Sequence, residues 1–366
     1  MLKKHLIYLF LIVIYITQIN AQQLNAVVVD ASTKEPVSDV FVFMANSSIG
    51  TTTDVTGTFQ LAIKEVAQTA ILFSHLNYEL LTINFTKGQA FQDTIYLKSA
   101  DLDLELVEVS KKAKPKLRKK RLRKFKDAFL GESREVKYIK ILNPEVLLFH
   151  VEGKKLIATA SQALEIENKL LGYQLDFYLE TFELDLLDKD VFYKGNPFFK
   201  PLESTKKELA RYKRNRKKAY QKTSRKFFSN LVANKIDQEA YDLGYATLNR
   251  NGEVVDYQQI TTDSLKIETI ENNKYSLPIK AYLAVMDVSE KPAPTSNKTG
   301  LSSNFSTGIK AVKQQELLTA TSYLKSKSNQ IILNKHGIIL NALDIEEYGF
   351  WSEQRVAFLL PLDYIE

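Results

Sequence analysis

The chain has 366 residues, of which 45% are hydrophobic, 25% charged and 11% aromatic, a balance that excludes a disordered, collagen-like or coiled-coil protein. It has no cysteine, which excludes disulfides, thiolate metal sites, cysteine nucleophiles and an acylated cysteine anchor. The formal net charge of +7 is unevenly spread: Lys111–Lys126 holds eleven basic residues and no acid, Lys206–Lys226 holds eleven against Glu208, and the remainder is net acidic.

At the start, Lys3 and Lys4, the apolar run Leu6–Ile16 and Ala21 before Gln22 have the pattern of an export signal occupying residues 1–21. The run is shorter than the ~20 apolar residues that span a bilayer. A soluble, exported mature chain with no transmembrane helix is therefore expected, long enough for roughly two domains. Its location would be periplasmic, outer-membrane associated or secreted. From residue 22 to 110 short alternating segments follow one another, at Asn25–Asp30, Val40–Phe43, Gly50–Asp54, Thr58–Ile63, Thr69–Phe73, Tyr78–Phe85 and Gln92–Leu97. Seven such strands with turn residues between them predict an all-β sandwich. Gly57 is expected in a hairpin turn at positive φ, and Asp101, Asp103 and Glu105 form a charged strand edge rather than a calcium loop.

These residues carry a resemblance. Val27-Val28-Val29-Asp30, Glu35-Pro36-Val37 and Val40-Phe41-Val42 resemble the opening of the carboxypeptidase regulatory-like domain. Gly50-Thr51-Thr52-Thr53-Asp54-Val55-Thr56-Gly57-Thr58-Phe59 is similar to its most recognisable hairpin. Phe73-Ser74-His75-Leu76-Asn77-Tyr78 resembles a later strand and turn, with Asn77 at a glycine position where it is expected to turn left-handed. Leu104-Glu105-Leu106-Val107-Glu108-Val109 resembles the closing strand. The resemblance implies a transthyretin-like sandwich that is not itself catalytic and that accompanies peptidases, receptors and other envelope proteins.

Beyond it, residues 111–131 read as a basic helical connector, with Pro115 at a first helical position, Leu117, Leu122, Phe125 and Phe129 near helical spacing, and Gly131 as the stop. Residues 132–366 read as a mixed α+β region. Glu152-Gly153-Lys154 and Asn334-Lys335-His336-Gly337 signal hairpins, Gly172–Leu187 a long strand, and Ser289–Gly308 a polar loop. Thr205 with Glu208 has the form of a capping box. Leu209, Tyr212, Tyr220, Phe227, Leu231 and Val232 then mark one face of a single long helix reaching about Lys235. The elements at Asn143–Val146, Glu165–Asn168, Leu171–Tyr173 and Tyr348–Tyr364 resemble the region that follows this sandwich in envelope proteins, a resemblance that brings no activity with it. The fold class is α+β: an N-terminal sandwich, then a mixed region with a long basic helix.

No catalytic constellation emerges. After residue 21 the histidines are His75, His150 and His336, none with the Glu spacing of a zinc carboxypeptidase. There is no nucleophile elbow, phosphate loop or dinucleotide fingerprint, so neither catalytic residue, metal nor cofactor is expected. The basic runs are the strongest candidates for interaction, with Arg211, Arg214, Arg216, Lys217, Lys218 and Lys222 as the candidate face. Behind an export signal, an envelope protein, anionic lipid or glycan is the expected partner rather than nucleic acid. The function read from these features is a non-catalytic envelope accessory or binding protein. The alternative is an exported hydrolase with an unrecognised carboxylate pair in the C-terminal region.

Overall fold

The computed structural model describes residues 22–63, 68–86, 88–100, 115–131, 133–187, 191–249, 254–271, 274–288, 321–341, 344–353 and 355–364. The expected signal at 1–21, the strand edge at Asp101, Asp103 and Glu105, the closing strand at 104–109, residues 111–114 of the first basic run and the 289–308 loop lie outside the described residues. The chain divides into two units, residues 1–45 with 49–102, and residues 46–48 with 103–366.

The first unit is built from β1 (Gln22–Asp30), β2 (Phe41–Met44), β3 (Gly50–Thr52), β4 (Thr58–Ile63), β5 (Gln68–Ser74), β6 (Leu81–Thr86) and β7 (Thr94–Leu97). They form two sheets, β4-β1-β7 and β3-β2-β5-β6, as a sandwich requires. Alternation along β1 and β4 sends Leu24, Ala26, Val28, Phe59, Leu61 and Ile63 into one core, where Phe59 meets Phe73 edge to face at 5.6 Å. The β3–β4 turn forms as its residues dictate. Asp54 Oδ1 accepts from the Thr56 and Thr58 amides at 2.8 and 3.0 Å, and Gly57 sits at φ +73°. A Cβ on residue 57 would lie 2.5 Å from the Val28 carbonyl oxygen, so the position admits only glycine without rearrangement. Asn77 does not take the expected left-handed conformation; instead its amide donates to His75 Nδ1 at 3.2 Å, which closes the turn locally.

The second unit opens with α1 (Pro115–Leu130), followed by β8 (Ile139–Ile141), β9 (Leu147–Glu152), β10 (Lys155–Ala160), β11 (Leu164–Asn168), β12 (Tyr173–Asp185) and β13 (Val191–Pro201). These strands make one sheet, ordered β8-β11-β12-β10-β9 with β13 on the other side of β12. The Gly153 hairpin and the long strand stand where the sequence places them. The first basic run is more than a connector. Phe125, Phe129 and Leu130 are fully buried in the core of this sheet, with Phe125 4.6 Å from Phe182 and Phe129 5.0 Å from Phe177. Leu117, by contrast, remains exposed.

After β13 come α2 (Lys206–Gln221) and α3 (Ser224–Val232), then β14 (Tyr241–Leu248), β15 (Val254–Ile260), β16 (Glu268–Glu271), β17 (Lys274–Pro278), β18 (Tyr282–Asp287), β19 (Thr321–Ser326), β20 (Gln330–Asn334) and β21 (Ile345–Gly349). The long helix of the sequence reading is thus two helices. Thr223 leaves helical geometry at φ −102° and ψ 151°, its hydroxyl donates back to the Tyr220 carbonyl at 2.7 Å, and it then accepts from the Lys226 amide to start α3. The break turns Phe227 and Phe228 into a second core, between the sheet β15-β14-β18-β19-β21 and the sheet β16-β17-β20. The 334–337 turn forms, and the return leg meets β20 through a bridge from Leu333 to Ile339 and through side-chain bonds of Asn334 and Asn341 rather than as a strand of its own.

Candidate functional site

The α2 helix starts at the expected capping box. Thr205 and Glu208 exchange bonds, the Glu208 amide to Thr205 Oγ1 at 3.3 Å and the Thr205 amide to Glu208 Oε2 at 3.0 Å. The bonds from Thr205 hold the Glu208 carboxyl below its usual range, so the first turn keeps its one negative charge at the helix N-terminus.

The inner face of α2 is set by Tyr212, Ala219 and Tyr220, all buried, while Leu209, expected in the core, is 40% exposed. Tyr212 packs its ring on Gly172 in the β11–β12 turn, where any Cβ would collide with it. Arg216 belongs to this inner face and not to the outer one. Its Nε donates to the Leu171 carbonyl at 2.7 Å, Nη2 donates to Gly172 at 2.9 Å, and the guanidinium stacks 3.9 Å from the Tyr173 ring centroid. Beside it, Asn215 Nδ2 donates to the Leu170 carbonyl at 2.9 Å. Arg216 therefore leaves the candidate face: its fork is used to satisfy turn carbonyls that face away from water. Tyr173, withdrawn from solvent under it, has its phenol pushed up to about 12 by burial, although the Arg216 charge pulls the other way. Lys222 is half-buried at the α2 C-terminus and already has an interaction of its own.

Arg211, Arg214, Lys217 and Lys218 are exposed as expected, and Lys206, Lys207 and Lys213 share the outer arc with them. At 100° per residue these seven cations span one side of the helix, interrupted only by Ala210 and Gln221. The clue separating the two sides was already present: Arg216 lies four residues from both Tyr212 and Tyr220, the spacing of one helix face.

The same division recurs in α1 and α3. Arg118 donates to the carbonyls of Leu147, Pro144 and Glu145 at 3.0 to 3.2 Å, and Arg121 to that of Phe149, whereas Lys116, Lys119, Lys120 and Arg123 are exposed. In α3, Arg225 gathers the carbonyls of Pro361, Leu362 and Tyr364, and burial weighs against its charge. The three histidines lie on separate elements: His75 in a turn of the sandwich, His150 exposed on β9, and His336 in the turn after β20. Among the described residues no three His, Asp or Glu side chains are grouped to hold a metal ion. Among the same residues no helix is long and apolar enough to cross a membrane.

Residues 25–109, which take in most of the two-sheet first unit with its Asp54–Gly57 turn, match the family model of the CarboxypepD_reg-like domain. The chain carries a CarboxypepD_reg-like domain. Comparison of the chain with curated proteins finds no match. The CarboxypepD_reg-like domain holds its own polar groups in turns. Asp30 Oδ1 accepts from the Ser32 and Thr33 amides, and its Oδ2 accepts from the Tyr78 hydroxyl at 3.0 Å. Those bonds, above all the one from the Thr33 amide, keep the Asp30 carboxyl below its usual value. Its most exposed apolar side chains, Val55 and Leu76, stand at turn tips.

Proposed function

We propose that this chain is an exported, non-catalytic accessory protein of the cell envelope, which uses the outer face of α2 to meet an anionic partner at a lipid or lipopolysaccharide surface. The observation that carries the reading is the outer arc of α2, where Lys206, Lys207, Lys213, Arg214, Lys217 and Lys218 are exposed without an acid among them. Each basic residue close to an anionic membrane surface contributes up to ~1 kcal/mol, and the attraction fades within a Debye length. The inner face is occupied by core contacts, so replacing the exposed outer charges should cost the fold little. The CarboxypepD_reg-like domain supports an accessory role, and the Lys3/Lys4, Leu6–Ile16, Ala21 pattern supports export.

The test is co-sedimentation of the chain from residue 22 with vesicles of phosphatidylglycerol mixed into phosphatidylcholine. Binding is expected at low salt, to fall with added salt, and to be lost when Lys213, Arg214, Lys217 and Lys218 are all changed to Gln. Equal binding by that variant, or no binding to these vesicles and to lipopolysaccharide, sinks the reading.

A further inference from the structure

The sheet β15-β14-β18-β19-β21 packs one face on the second core through Leu243, Leu283, Val285 and Leu324. Period-two alternation sends the intervening side chains to the opposite face. The register there pairs Ala246 with both Tyr257 and Tyr282, and the row Gly244, Ala284, Tyr323, Tyr348 runs across the neighbouring strands. Gly244 and Ala246 on β14 and Ala284 on β18 thus share this face with four tyrosines, from β15, β18, β19 and β21. The Tyr257 ring covers Gly244 so closely that a Cβ there would lie 2.3 Å from its Cζ. Tyr282 and Tyr348 meet edge to face at 6.0 Å, and Tyr348 is 46% exposed.

Two carboxylates frame these rings. Tyr282 donates its hydroxyl to Glu346 Oε2 at 3.2 Å, and Asp242 Oδ1 receives Gln259 Nε2 at 3.0 Å beside the Tyr257 hydroxyl at 3.5 Å. Lys325 Nζ lies 5.3 Å from the Tyr282 ring centroid and offsets part of the negative charge. Partial burial keeps the Tyr257, Tyr282 and Tyr323 phenols protonated, with that of Tyr282 pushed up to about 12. The rings are therefore neutral, and their hydroxyls or their packing fix their orientation before any ligand arrives.

We propose that this tyrosine face binds a neutral, hydroxyl-rich glycan, with a sugar ring lying on the exposed Tyr348 beside the half-buried tyrosines and hydroxyls donating to Asp242 and Glu346. Hydrogen-bond complementarity selects that occupant. Carboxylates only accept, and a saccharide offers hydroxyl donors along its whole edge while its axial C–H groups present an apolar face to an aromatic ring. A proline-rich peptide also favours aromatic grooves, but proline has no N–H to give to those two acceptors. Anions are disfavoured by the same carboxylates, which separates this face from the basic arc of α2.

The experiment is native affinity electrophoresis of the chain from residue 22 through gels containing a soluble α-glucan, mixed-linkage β-glucan, β-mannan or arabinoxylan. At least one polysaccharide should retard the protein, and raising the salt should leave the retardation unchanged. Removing one stacking ring with Tyr348→Ala should weaken affinity about fivefold or more. Glu346→Gln, which keeps side-chain size, should weaken it too, while Tyr96→Ala on the sandwich and the α2 glutamine variant should be retarded as wild type is, each measured against its own mobility in a glycan-free gel. Thermal melts identify a variant that has unfolded, in which case Glu346→Gln decides alone. No retardation in any gel, or retardation unchanged by the folded variants, overturns the proposal. Binding of fluorescein-labelled decaproline that the same variants abolish, with no glycan retardation, overturns it in favour of a peptide.

Discussion

In the sandwich, Asp54 reaches amides two and four residues away, and Asp30 reaches amides two and three residues away. In the second unit, Arg118 reaches carbonyls 26 to 29 residues away, Arg216 carbonyls 44 and 45 away, and Arg225 carbonyls 136 to 139 away. These carboxylates of the first unit satisfy backbone amides close by in sequence, whereas these arginines of the second unit satisfy backbone carbonyls far away in sequence. A carboxylate on a short stem most readily accepts from amides that its own turn presents. An arginine carries five donors on a long stem, so it can terminate loops that the chain brings together from far apart. The lesson for the basic runs is that their arginines and lysines divide: many of the arginines serve the interior, and most of the lysines face water.

The sharpest way to break the comparison is to attack each unit where it is held and follow both. Trp351 is the only tryptophan, and it is buried against Phe227 and Phe228 in the second unit, so its fluorescence reports that unit alone. Gly57→Val forces a β-branched residue to positive φ and into the Val28 carbonyl, and should cost about 2–4 kcal/mol. Urea unfolding should show the loss in the circular-dichroism transition with the Trp351 transition unmoved. A coincident shift of both signals would mean that the units do not unfold separately.

A smaller effect is expected at α2. Arg216→Met keeps a stem of similar length but orphans the Leu171 and Gly172 carbonyls, at a cost of about 1–3 kcal/mol in the Trp351 transition. Arg214→Met, two residues earlier on the exposed arc, should change it by less than about 0.5 kcal/mol. Equal effects at the two positions would erase the distinction between inward and outward arginines.

A third effect, opposite in sign between the units, is in pH. The Asp54 carboxyl is held below 3.8, chiefly by the Thr56 hydroxyl, and is therefore stabilising above that pH and loses its contribution as acid is added. Glu347 on β21 is pushed from 4.5 to about 7 by burial, against the pull of Arg355. Because its folded value is raised, its contribution is complete below 4.5 and is lost as the pH rises through 7. Urea midpoints followed by Trp351 should therefore decline between pH 4.5 and 7, and Glu347→Gln should flatten that slope. A wild-type midpoint that is constant across this window would refute the assignment.

The sequence by itself determined the sandwich, because its information is local: alternation at Leu24, Ala26 and Val28, an Asp-x-x-Gly turn and a strand every ten or so residues. It also determined where α1 and α2 begin, since Pro115 and the Thr205–Glu208 box act within one turn. It did not place the break at Thr223, because the apolar positions of α2 and α3 are each periodic and only the docking of Phe227 and Phe228 in a second core decides that the chain must turn. Nor did it separate Arg216 from Arg214, although the four-residue spacing to Tyr212 and Tyr220 carried the hint, because composition counts charges without direction. The tyrosine face was the least legible. Tyr257, Tyr282, Tyr323 and Tyr348 are scattered over four strands, and only the antiparallel register, fixed by hydrogen bonds between segments distant in sequence, brings them onto one surface.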